Sequence, residues 1–127
     1  MSQQLRALQW GFDAWWKRGE FTGFEALPDD FESESRFGLD FSCRGREEFM
    51  ELFRGWKELW EGLETTYEFE EVGEGRVLVN AVTRGRGPQS GVDAAMSFSQ
   101  VWFYEAGAFR RVIWFGTREQ ALAYLDA

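Results

Sequence analysis

The apolar pattern of this chain changes period once, and that change limits the fold more than any other feature. Up to about residue 63 the large apolar side chains recur at helical spacing, and beyond it they alternate. Leu5, Leu8, Phe12, Trp15 and Trp16 form one face of a helix predicted over 3–18, which ends at Gly19 after the basic pair Lys17 and Arg18. A short helical turn is expected over 20–26, closed by Leu27-Pro28. An alternating strand over 31–37 follows, with Glu32, Glu34 and Arg36 on its solvated side. Phe49, Leu52, Phe53, Trp56, Leu59, Trp60 and Leu63 make a wide stripe, so the main packing helix is predicted over 46–62. From there the period is two, with strands near 64–72, 76–84, 92–104 and 109–115, separated by turns at 73–75, 85–91 and 106–107. Thr117 and Gln120 form a capping box that opens a last helix over 118–125. Helices followed by an antiparallel meander is an α+β order. The 127 residues, with no linker or repeat, are expected to form a single domain over 1–127.

Composition removes several classes of function. Hydrophobic residues make up 44 % of the chain and aromatic residues 18 %, too many for a disordered protein. The net charge of −8 opposes binding to nucleic-acid backbones and to anionic membranes. With no histidine, the Ser-His-Asp and Cys-His devices and His-ligated zinc are excluded, and neither a metal nor a cofactor is expected. Cys43 is the single cysteine and reads as an inert thiol. No apolar run approaches the length of a membrane span or follows a basic N-terminus, so a soluble, cytoplasmic protein is expected.

If Ala106-Gly107 is a two-residue turn, regular pairing sets Tyr104 against Phe109, Trp102 against Arg111, and Ser99 against Trp114. One sheet face then carries Phe98, Gln100, Trp102, Tyr104, Phe109, Arg111, Ile113 and Phe115. The other carries Ser97, Ser99, Val101, Phe103, Arg110, Val112 and Trp114, and its small polar groups beside one large ring suggest the wall of a cavity. The bulky first face is expected to pair two copies into a homodimer.

Gly19-Glu20, Pro28-Asp29-Asp30, the Arg44–Glu47 run Arg-Gly-Arg-Glu, the Arg84–Gly91 run Arg-Gly-Arg-Gly-x-x-Ser-Gly and the Arg118–Leu122 run Arg-Glu-Gln-Ala-Leu follow one another over nearly the whole chain. In that order they resemble the SnoaL-like branch of the nuclear transport factor 2 (NTF2)-like superfamily. The resemblance implies a cone: a strongly curved antiparallel sheet wrapped over three to four helices, with a pocket at the wide end and frequent dimerisation. It implies no single function, since the superfamily holds isomerases, cyclases, hydrolases, dehydratases and non-enzymatic binders. Ketosteroid isomerases of this fold use a tyrosine, an aspartate base and an aspartic acid donor. The matching positions are Phe12, Ser35 or the adjacent Glu34, and Ser99, and the polyketide-cyclase aspartate falls near Thr117.

The expected ligand is therefore a small hydrophobic molecule, aromatic or polycyclic. Phe12, Trp15, Trp16 and Trp114 are the expected walls, and Ser35, Ser97 and Ser99 the polar contacts. Each of these also reads as plain core. The alternative is an enzyme of this fold, an isomerase, cyclase or hydrolase, with Glu34 or Asp93 as general base. Tyr67 reads as a cavity hydroxyl or as core, and Arg111 as a cation–π partner of Trp102.

Overall fold

The computed structural model describes residues 2–21, 23–38, 41–58, 60–87 and 93–126. Helix α1 (Gln3–Arg18) starts where the Ser2 hydroxyl accepts from the Leu5 amide. It stops at Gly19, whose left-handed φ of 68° lets its amide reach the Trp15 carbonyl at 2.9 Å. A 3-10 turn, Phe24–Ala26, leads to the short strands β1 (Glu32–Ser35) and β2 (Cys43–Arg44). Helix α2 (Arg46–Glu58) follows. It ends before the predicted Gly62, whose φ of 61° sits in a register break at the start of β3 (Glu61–Gly73). Leu59 of the predicted stripe and most of the 85–91 turn lie outside the described residues. Strands β4 (Arg76–Arg86), β5 (Asp93–Glu105) and β6 (Ala108–Phe115) complete the meander, and α3 (Arg118–Asp126) follows it. No helix among the described residues is long and apolar enough to cross a membrane.

The architecture is α+β, but the strongly curved antiparallel cone is not what forms. The strand order β2-β1-β6-β5-β4-β3 ends at β2 and β3, which do not pair, so the sheet is open. It is also mixed, because β1 runs parallel to β6, with Ser33 beside Val112 and Ser35 beside Trp114. Helices cover both faces rather than sitting inside a wrap. On one face α1, the 3-10 turn and α2 bury Phe12, Trp15, Phe31, Phe49, Phe53 and Trp114 among many rings. On the other, Ala121, Leu122, Tyr124 and Leu125 of α3 lie on Leu78, Val101, Phe103, Ile113 and Phe115.

A β-bulge accounts for the largest departure from the predicted register. Glu105 pairs with Ala108 and Tyr104 with Phe109, as a two-residue turn requires, and both turn residues have positive φ (Ala106 51°, Gly107 83°). Arg110 is then left unpaired, and Phe103 faces Arg111. The Arg110 guanidinium folds back onto the turn, donating to the Glu105 carbonyl at 2.9 Å and the Ala106 carbonyl at 3.4 Å. That single extra residue exchanges the two faces of β6 beyond it. Trp114 now pairs with Gln100 and shares a face with Phe98 and Trp102, whereas Ser99 pairs with Phe115 on the opposite face. Arg111 accordingly sits over the Phe103 ring, 4.3 Å from its centroid, instead of Trp102. The face expected to pair two copies is not free to do so. Phe98, Trp102 and Phe109 are core, and Ile113 and Phe115 lie under α3.

Candidate functional site

Two aromatic-walled spaces lie between the sheet and the helices that cover its first face, and only one has room. Trp16, Phe41, Phe53, Trp56, Met96, Phe98 and Trp114 converge on a seam of about 10 Å³, less than one water needs. Phe41 stacks on Trp114 at 4.4 Å, and the polar atom of the Trp114 ring is consumed internally. The Trp114 indole N–H donates to the Ser33 hydroxyl at 2.8 Å, and that hydroxyl donates to the Phe41 carbonyl at 2.7 Å. This end of the inner face is filled core.

The second space, of about 200 Å³, is bounded by α1, the 3-10 turn and the tip of the β5–β6 hairpin. Its position follows from two glycines. A Cβ on Gly23 would stand 2.2 Å from the Gly11 Cα, so only a glycine at 23 lets the 3-10 turn press this closely against α1. Arg46, first residue of α2, anchors that turn. Its guanidinium donates to the Glu25 and Leu27 carbonyls at 3.2 and 3.1 Å and pairs with Asp29 at 2.9 Å. Phe12 meets Trp102 edge to face at 5.8 Å, and Phe109 meets Trp102 at 5.9 Å and Tyr104 at 5.0 Å. The Trp102 indole N–H is taken by the buried Gln100 side chain at 2.9 Å. At the β3–β4 turn, Gly75 (φ 71°) abuts the Tyr104 carbonyl so closely that a Cβ would lie 2.6 Å from the oxygen, which seats Tyr104 in the lining. Trp10 stands at the rim, 55 % exposed, the one exposed large apolar side chain among the described residues.

The sequence-predicted site residues are not gathered in one place. Phe12 lines the open pocket, while Trp16 and Trp114 line the filled seam. Trp15 stacks on Phe21 and borders a separate groove, with the Lys57 ammonium 4.9 Å from its ring centroid. Ser35 donates to the Phe37 carbonyl at 3.4 Å, away from both spaces. Ser97 and Ser99 line an open polar cleft across the sheet, with Glu70, Asn80 and Arg118. There Ser99 donates to Asn80 at 2.8 Å, Asn80 donates to Glu70 at 2.9 Å, and Arg118 grips Glu70 bidentately at 2.8 and 2.9 Å. Hydrogen bonding from Arg118 holds the Glu70 carboxyl below its ordinary range.

Glu34 and Asp93 are exposed and ion-paired, with Arg36 and Arg86, and neither lines the aromatic pocket. Tyr67 is turned toward α1 and donates to Asp13. Burial first, then that bond, pushes its phenol well above the usual range. Among the described residues, no group of three or more His, Cys, Asp or Glu could hold a metal ion. Among the described residues no charged side chain is buried and so placed for acid–base work. Sequence reasoning missed Trp10, Leu27, Tyr104 and Phe109 as pocket residues. The available signals were Trp10, off the apolar stripe of its helix, and Gly11 in mid-helix.

No protein-family model and no curated protein matches the sequence, but solved structures do match its fold. An NTF2-like protein of unknown function from Burkholderia pseudomallei superposes with a TM-score of 0.76 at 21 % identity, covering 100 % of both chains. A putative SnoaL-like polyketide cyclase from a Jannaschia species gives 0.76 at 19 % identity, over 95 % of this chain and 89 % of that one. A hypothetical protein with a ketosteroid isomerase-like fold from Catenulispora acidiphila, in complex with trimethylamine, gives 0.70 at 14 % identity over 92 % and 89 %.

Proposed function

We propose that this chain, which has the NTF2-like (SnoaL-like) fold, is a small-molecule-binding domain whose apolar ligand sits between α1, the 3-10 turn and the β5–β6 hairpin. The observation that carries this reading is a space of about 200 Å³ walled by Phe12, Trp102, Tyr104 and Phe109, with no ionised side chain among its described lining residues. Burial of an apolar ligand there needs no compensating charge. A similarly folded protein in complex with trimethylamine supports small-molecule binding as a use of this architecture. Catalysis has no comparable support, because Glu34 and Asp93 lie outside this pocket.

Titration with the neutral naphthalene dye prodan tests the reading. Saturable binding at one dye per chain is expected, accompanied by quenching of tryptophan fluorescence. Ala108→Trp, which places an indole in the lining, should abolish it, whereas Ser99→Phe on the far face should not. Undiminished binding by Ala108→Trp would move the site elsewhere.

A further inference from the structure

We infer that this pocket selects a neutral arene of one or two fused rings bearing a single hydrogen-bonding substituent, which the Tyr104 hydroxyl reads; the inference rests on the binding role proposed above.

Size sets the first limit. An apolar cavity of about 150 Å³ accommodates benzene. The 200 Å³ here leaves room for one further ring and not for the three or four of a steroid or a tetracyclic polyketide. Charge sets the second. The described lining residues include no Asp, Glu, Lys or Arg, so an ionised ligand would be buried unpaired among them, and the net charge of −8 adds long-range repulsion against anions.

The polar handle follows from what remains. Of the lining groups able to hydrogen bond through a side chain, the Trp102 N–H is already committed to Gln100, and the Trp10 indole stands at the solvent-exposed rim. Tyr104 carries the one hydroxyl among the described lining residues, and that hydroxyl makes no hydrogen bond to another described residue. It can donate or accept, so it suits a phenolic, indolic or carbonyl substituent. Trp10 at the rim then supplies a ring to cover the ligand's exposed edge.

Equilibrium dialysis at pH 7 with naphthalene, 2-naphthol, 2-naphthoate and pyrene separates the possibilities. Naphthalene and 2-naphthol should bind, and 2-naphthoate and pyrene should each be weaker by about tenfold or more. Tyr104→Phe should weaken 2-naphthol about fivefold and leave naphthalene unchanged. Ala7→Trp, a substitution on the exposed side of α1 at the pocket edge, should weaken both ligands, and it keeps the location testable if a buried substitution fails to fold. If neither naphthalene nor 2-naphthol binds, the binding role itself falls. If both bind but pyrene or 2-naphthoate binds as tightly, the selectivity is overturned while the binding role stands. Equal effects of Tyr104→Phe on naphthalene and 2-naphthol would overturn the role given to its hydroxyl.

Discussion

Ser33 shows how a single hydroxyl can settle the use of a cavity. Its oxygen accepts from Trp114 and donates to the Phe41 carbonyl, all deep in the core, so Ser33→Ala strands two polar groups at once. The expected loss is about 1–3 kcal/mol, read from the urea midpoint. Alternation along the first strand places both Ser33 and Ser35 on its inward side, and the motif match favoured Ser35. Which serine meets Trp114 depends on a pairing with β6, far away in sequence, and no local pattern encodes it. The Gly11 and Gly23 contact is the second residue-scale device. Gly23 has an ordinary φ of −70°, so its need for glycine is a matter of space alone. Gly23→Ala must push the 3-10 turn off α1, with an expected cost of about 1–3 kcal/mol and weaker prodan binding because the pocket wall moves.

At the scale of elements, the helices were legible from capping and periodicity, as Gly19, the Thr117–Gln120 cap and the apolar stripe of α1 illustrate. The meander was legible too, down to the Ala106-Gly107 turn. The exchange of faces on β6 was not, because a two-residue turn looks the same in sequence whether or not Arg110 bulges beyond it. Deleting Arg110 removes the extra residue yet leaves Trp114 opposite Gln100 and Phe115 opposite Ser99, so only the local bend is lost. The expected outcome is cooperative unfolding retained in circular dichroism; its loss would show that the bend itself is needed. Helix α3 gives a complementary prediction. Truncation after Gly116 uncovers Leu78, Val101, Phe103, Ile113 and Phe115 together, and light scattering should then show self-association beyond that of the full chain.

For the whole molecule, the α+β class was readable from the change of period, whereas the pocket was not, because its walls come from four separated stretches of chain that meet only after folding. Charge acts at this scale as well. The open edge strand β3 carries Glu64, Glu68, Glu70 and Glu71, a guard against edge-to-edge pairing, and Glu70 also fastens α3 through Arg118. Since the Glu70 carboxyl titrates below its ordinary range in the folded chain, its contribution is present above that range and fades as pH falls through the lowered value. Thermal melts of wild type and Arg118→Gln should therefore differ at pH 7 and converge in acid. The parallel seat of β1 beside β6 has a consequence for synthesis. β1 has only the two-residue β2 to pair with until a partner about eighty residues later has left the ribosome, so its entry into the main sheet waits for β6. Chains cut short before residue 111 leave Phe41, Phe53 and Phe98 without the Trp114 ring on which they pack. The quality-control machinery that recognises exposed rings would find such fragments by the surface they cannot cover.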